Sequence, residues 1–328
     1  MSLPLELVCP AGNPAALRAA VDAGADAVYV GFRDATNARN FPGLNFSRQE
    51  MAEGLDYAHA KKVKLFIAIN TFPHAGDRGP WIQAIDDAAA MAVDAVILAD
   101  IGLLAYAADR HPDLRRHLSV QASASSADSI AFFSERFGVR RVVLPRVLTV
   151  DEIAVLNADI DVETEVFAFG GLCVMAEGRC SLSSYTTGQS PNLNGVCSPA
   201  SAVAYEREGG DMVSRLAGLT INRFPEGEAA GYPTLCKGRF SARGTTSYLF
   251  EEPTSLNTID ILPDLAAAGV SALKIEGRQR GRAYVAEVVA SFRWAIDGMD
   301  GGKDGRVRLA AMSEGAKQTE GVYRKSWR

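Results

Sequence analysis

Four of the chain's five cysteines, Cys173, Cys180, Cys197 and Cys236, fall in one segment punctuated by Gly, Pro and Ser. Sulfur is a soft donor. Four thiolates delivered from loops suit zinc or an iron–sulfur cluster, since both take four sulfurs in tetrahedral geometry. The separations of 7, 17 and 39 residues match no C-x-x-C spacing of zinc ribbons or fingers. Within a metal reading that irregularity favours a cluster, and four buried structural thiols are the plain alternative. Cys9 ends a separate apolar run and reads as a small buried hydrophobe.

A second group is charged. In the stretch 272–278, ALKIEGR, Lys274, Glu276 and Arg278 alternate with Leu273, Ile275 and Gly277, so on a strand their side chains share one face. They form either a charged cluster at a site or a structural ion-pair network. Arg146 follows an apolar run, and with Arg278 it has the fork geometry to bind a carboxylate bidentately. Solvated loop arginines are the alternative. None of the histidines, His59, His74, His111 and His117, sits in an HExxH pattern. Only His74, just past a strand end, is placed to reach a site. No Walker loop and no GxGxxG after the first strand is present, which argues against a nucleotide cofactor.

The elements that must position these residues alternate along the chain. Apolar runs at 5–9, 27–31, 64–70, 95–99, 118–122, 141–144, 162–169 and 272–275 read as strands. Helices are expected at 14–23, 48–61, 80–92, 102–109, 127–137, 150–156, 261–268 and 283–297, with Asn13 capping the first and Pro14 opening it. Continuous β-branched strands indicate a parallel sheet covered on both faces. Eight such units make a TIM-type (β/α)8 barrel spanning 1–328 as one domain, interrupted before the last strand by a loop-rich excursion at 170–253. A doubly wound open sheet is the alternative. Barrel chemistry gathers at the C-terminal strand ends, where this reading places Cys9, Tyr29, Asn70, Asp100, Gln121, Arg146, Glu165, Lys274, Glu276 and Arg278.

Composition narrows the function classes. The chain has 328 residues, 34 Lys+Arg against 39 Asp+Glu, a net charge of −5 and no polybasic block, which argues mildly against nucleic acid as a partner. The N-terminus lacks a basic region followed by an apolar one, and the most apolar stretch, 84–98, carries Asp86, Asp87 and Asp94. Neither a signal peptide nor a transmembrane segment is expected. An odd number of cysteines without an export signal points to reduced thiols and a cytoplasmic location.

Several motifs resemble the collagenase-like peptidase family U32. They are Glu165-x-Phe167-x-x-Gly170-Gly171-Leu172-Cys173, then Gly178-x-Cys180-x-Leu182-Ser183, with CPAGN at 9–13, DAVYVGF at 26–32, NARNF at 37–41, KIEGR at 274–278 and GVYRKSW at 321–327. Gly171 departs from the Ser or Ala usual at its position. The four-cysteine spacing and the absence of an added C-terminal domain are most similar to members that act in oxygen-independent ubiquinone biosynthesis. That resemblance implies a 4Fe–4S cluster on Cys173, Cys180, Cys197 and Cys236. It also implies a heterodimer with a homologous subunit carrying its own cluster. The implied activity is ring hydroxylation of a ubiquinone precursor lipid, with prephenate as oxygen donor. On this view Arg146, Lys274 and Arg278 bind the donor, and Glu165 or Glu276 orients them or moves protons. Other members modify RNA bases, and the family name also keeps a protease reading open.

Overall fold

The computed structural model describes residues 3–40, 42–173, 175, 180–191, 196–298 and 302–324. Eight parallel strands run in chain order around a closed barrel: β1 Glu6–Pro10, β2 Ala27–Val30, β3 Lys64–Ile69, β4 Ala95–Leu98, β5 Arg116–Leu118, β6 Val139–Val143, β7 Glu163–Gly171 and β8 Ala272–Ile275. Closure comes from β8, which pairs with both β7 and β1. The covering helices are α1 Pro14–Asp22, α2 Arg48–Ala60, α3 Gly79–Ala90, α4 Ile101–Arg110, α5 Ala127–Phe137, α6 Val150–Ala158, α7 Leu262–Ala267 and α8 Arg282–Ile296. This is the (β/α)8 architecture expected from the sequence.

Local chemistry sets the helix starts. The Asn13 side chain accepts from the Ala16 N–H with Pro14 at the first helical position, and Ser47 with Glu50 and Thr149 with Glu152 form capping boxes. Alternate strand residues such as Leu7, Val28, Leu65 and Val96 face the helices in the main apolar core. The opposite face of the strands contributes a small apolar cluster that includes Val8, Tyr29, Phe66 and Ile97.

Much of the remaining barrel interior is charged. Arg141 on β6 reaches Glu6 on β1 at 2.9 Å, a contact between strands that are not neighbours and that must therefore cross the interior. Arg141 also meets Glu163 at 2.7 Å and Glu165 at 3.3 Å, and Glu165 holds Lys274 at 2.5 Å. His117 stands on Phe66 edge to face and accepts from Arg115 Nε at 3.0 Å. Burial, then Arg141 and Arg115, hold its pKa far below the usual value, so it stays neutral.

Two expectations need correction. The fifth strand is not 118–122: the strand is Arg116–Leu118, and Val120–Ala122 form a 3₁₀ turn. Arg116 is a polar residue that burial makes compatible with a strand, because its guanidinium bonds the carbonyls of Phe137, His111, Pro112 and Leu114. The excursion after β7 also holds more regular structure than its composition implies. It contains a three-stranded antiparallel sheet, Val203–Glu208, Asp211–Leu216 and Leu219–Phe224, and a hairpin of Arg239–Ala242 with Thr245–Tyr248. The chain returns through Ser255–Asn257, antiparallel to the end of β7, and Gln318–Thr319 adds alongside it. No helix among the described residues is long and apolar enough to cross a membrane.

Removing Lys274 takes away the nearer cation of the fully buried Glu165, which is left with Arg141 at 3.3 Å. Lys274→Met is expected to lower unfolding stability by about 3–5 kcal/mol in urea titrations. The double change Lys274→Met with Glu165→Leu should recover part of that loss.

Candidate active site

The C-terminal mouth of the barrel is organised by a close approach between β7 and the loop after β8. Gly170 has φ 137°, and a Cβ there would lie 2.5 Å from Cβ of Glu276. Only glycine satisfies both demands. The Glu276 N–H continues the ladder by donating to the Phe169 carbonyl at 2.8 Å. From there its Oε1 meets Arg146 Nη2 at 2.7 Å, and the Arg146 guanidinium lies 3.5 Å from the centre of the Phe167 ring. The pair joins the ends of β6 and β8 across the end of β7.

Arg278 sits in a berth built from three other sequence motifs and Asn45. Its Nη2 donates to Asn37 Oδ1 at 2.9 Å and to Asn45 Oδ1. A Cβ on Gly31 would come within 2.6 Å of that nitrogen, and a Cβ on Gly12 within 1.9 Å of the Arg278 carbonyl oxygen. Asn37 is itself fixed by donating to the Phe32 carbonyl at 2.6 Å, and the next residue, Ala38, donates its N–H to Asn70 Oδ1 at 3.0 Å. Among the described residues no carboxylate pairs with Arg278, and its buried Nε has no hydrogen-bond partner. Burial lowers its pKa to about 10, which still leaves it charged at neutral pH.

Lys274, Glu276 and Arg278 do not form one cluster. β8 ends at Ile275 and the chain turns at Gly277, φ 156°, so strand alternation no longer governs the residues beyond Ile275. Lys274 points into the barrel, 4.0 Å over the Tyr29 ring and paired with Glu165. Glu165 is not at a strand end. It is the third residue of β7, fully buried, because β7 runs on to Gly171. His74 packs edge-on against Trp81.

The four cysteines arrive from separate places, Cys197 from the chain between the helix Ser181–Thr187 and the strand Val203–Glu208. Cys173 lies two residues past β7. Cys180 caps the short helix Ser181–Thr187, its sulfur accepting from the Ser183 N–H at 3.4 Å. Cys236 sits in the 3₁₀ turn Leu235–Lys237, where its carbonyl accepts from the Glu251 N–H at 3.2 Å. None of the five cysteines is in a disulfide. The thiols feel one another: burial first, then the charges of Cys173 and Cys197 and, more weakly, Cys180 push Cys236 up to about 12 against the pull of Lys237. Cys197 as a residue is exposed, yet protein packed around its sulfur raises that thiol as well, with Arg39 as the main opposing charge and Cys180 and Glu276 also within range. Among the described residues no three His, Cys, Asp or Glu side chains already stand in metal-coordinating geometry. The donor set fits a sulfur-bound metal group all the same. Four cysteines outside any disulfide share one region, and the thiols of Cys197 and Cys236 are raised there by burial and by their cysteine neighbours, which a cation among them would offset. Cys9 is buried in the main core, as expected. Gly178, Phe41 and residues 325–327 of the motifs lie outside the described residues.

Sequence reading missed Arg39, Asn37, Asn45 and Lys237 as parts of the site. NARNF carried the first two in plain view, but only the fold brings that loop over Arg278. If the berth is as tight as this, Gly31→Ala should cost about 1–3 kcal/mol in chemical denaturation. Adding Arg278→Ala should relieve the overlap, so the double variant will be more stable than the summed single effects predict.

The sequence matches the family model described as Peptidase family U32 over residues 12–327. The tRNA hydroxylation protein P of Escherichia coli is 31% identical over 342 residues, which cover 98% of this chain and 74% of that protein. An uncharacterized protease of Methanocaldococcus jannaschii is 32% identical over 302 residues, 90% of this chain and 66% of that one. A 23S rRNA 5-hydroxycytidine synthase of Escherichia coli is 30% identical over 296 residues, 89% of this chain and 39% of that enzyme. The chain thus spans about two thirds to three quarters of the first two relatives and well under half of the third. With the family model covering nearly the whole sequence, the chain belongs to peptidase family U32.

Proposed function

We propose that this chain is the iron–sulfur subunit of an oxygen-independent hydroxylase that acts on the aromatic ring of ubiquinone precursors, the role of a UbiU-type member. Its proposed partner is a UbiV-like homologous subunit, and its proposed oxygen donor is prephenate. The observation that carries the reading is the gathering of four cysteines, none in a disulfide, in one region where Cys197 lies within charge range of Arg39 and Glu276. Two of the relatives above are named for hydroxylation of RNA, which supports hydroxylation as the reaction type.

Cys173, Cys180, Cys197 and Cys236 would hold a 4Fe–4S cluster, which when bound supplies a one-electron redox centre. The chain's own groups handle the donor and the protons. Ring hydroxylation turns C–H into C–OH, so the ring loses two electrons and the donor that gives up oxygen gains two. Arg278, with no carboxylate partner among the described residues, is the cation best disposed to hold a donor carboxylate. Arg146 is held by Glu276 Oε1, and a donor carboxylate competing for that guanidinium would free the glutamate to accept a proton. Glu165 and Lys274 neutralise each other inside the barrel, and we assign them to its floor rather than to the donor. On this reading anion binding and proton transfer would take place next to the thiols.

RNA-base hydroxylation is the second reading, favoured by the names of the relatives. The net charge of −5 and the lack of a polybasic block weigh against it. A protease reading has only a family label and one relative's name behind it, with no hydrolase constellation among the described residues of the mouth.

Cells lacking this chain, grown without oxygen, decide between the first two readings by mass spectrometry of quinone intermediates and of nucleosides from digested RNA. Accumulation of under-hydroxylated quinone precursors with unchanged nucleosides is expected. Loss of a hydroxylated nucleoside with normal quinones would overturn the ubiquinone assignment in favour of RNA.

A further inference from the structure

The turn that carries Cys236 is tied down at both ends of the next residue. The Lys237 carbonyl accepts from Asn222 Nδ2 at 3.4 Å, and Asn222 Oδ1 accepts from the Arg239 N–H at 2.8 Å, which fastens the backbone to the excursion sheet. The Lys237 side chain is 9% exposed and runs the other way, to an ion pair with Glu314. Glu314 belongs to the C-terminal part of the chain and is rigidly placed. Its N–H donates to Ser255 Oγ at 2.8 Å. The next residue, Gly315, has φ 61°, and a Cβ there would lie 2.3 Å from the Pro253 carbonyl oxygen. Ser255 in turn donates its N–H to the Lys317 carbonyl at 3.0 Å and pairs with Gly171 at the end of β7.

The ion pair therefore stands over the place where the chain leaves the barrel for Cys173. A Cβ on Gly171 would be 3.6 Å from Glu314 Oε2 and 4.0 Å from Lys237 Nζ. Those are ordinary contacts, so an alanine methyl would also fit beneath the pair.

We propose that Lys237 and Glu314 are a positioning pair for the cysteine site, a latch by which the C-terminal segment fixes the Cys236 turn onto the barrel and holds a cation beside the thiols. The inference rests on the reading of the four cysteines as one metal-holding site. Among the described residues the strands of the excursion bond to each other rather than to β1–β8, so the latch adds a direct tie from the Cys236 turn to the segment beside β7. A long buried side chain meeting a carboxylate on a rigid turn is well suited to this. The pair is costly to break from one side, because the remaining charge is left without its partner.

Hydrogen exchange read by mass spectrometry, together with iron and sulfide assays, tests the latch on full-length protein purified without air. The set is the parent, Lys237→Met, Glu314→Gln, Lys237→Arg, and the reversed pair Lys237→Glu with Glu314→Lys. Amides in 234–252 should exchange roughly tenfold faster in the first two variants, the signature of a lost local tether, with the barrel strands unchanged and bound iron reduced. Lys237→Arg should restore both slow exchange and iron, and the reversed pair should restore slow exchange. Parent-like exchange in Lys237→Met and Glu314→Gln, or no rescue by Lys237→Arg, would overturn the proposal. If the parent itself holds no iron, the cluster reading fails and the exchange data alone decide whether the latch exists.

Discussion

The missing side chain at Gly170 is the constraint on which the mouth of this barrel depends. Because nothing projects from that residue, the loop after β8 can lie against the end of β7 closely enough for Glu276 to extend the strand ladder and still reach Arg146. The same closeness releases the chain into its excursion one residue later, with Cys173 already near the mouth. A β-carbon at Gly170 would push Glu276 outward. It would break the Arg146 pair and separate the charged mouth from the thiols.

Two charge systems share the barrel and differ in what they are built for. The lower one, Glu6–Arg141–Glu165–Lys274 with Glu163, runs outward to Lys64 and Arg115, and each cation in it has a carboxylate. It fills space where most of the interior would otherwise be apolar. The upper one is unbalanced. Arg278 is buried on two asparagine oxygens, and Arg39 lies within charge range of both Arg278 and Cys197. Buried positive charge held by neutral groups, near the raised thiols of Cys197 and Cys236, is an arrangement that a bound anion and a bound metal group would each relieve.

Much of the scaffold is legible in the residues. Seven of the eight strands lie where apolar runs between helical patterns put them, since those runs are buried on both faces. β5 is displaced because Arg116 and His117 look like loop residues until carbonyls and an aromatic ring are available to bury them. The charged trio at the end of β8 is visible in the sequence but is not one group: a period of two holds only while the strand lasts, and β8 ends between Lys274 and Glu276. The cysteine spacing marks out a site without showing how it closes. Convergence depends on strands in the excursion, and on Glu314, 78 positions beyond Cys236, none of which leaves a local mark near the thiols. The glycines and asparagines of CPAGN, DAVYVGF and NARNF acquire a physical reason only once Arg278 is seen lying among them.

The central claim is that Cys173, Cys180, Cys197 and Cys236 together hold one iron–sulfur cluster. The most direct test is the ultraviolet–visible spectrum of the chain purified without air, with iron and sulfide assays, for the parent and for each cysteine changed singly to alanine. A broad charge-transfer band near about 400 nm is predicted for the parent and for Cys9→Ala and should be lost in the other four variants. A colourless protein, containing zinc or no metal, would contradict the account.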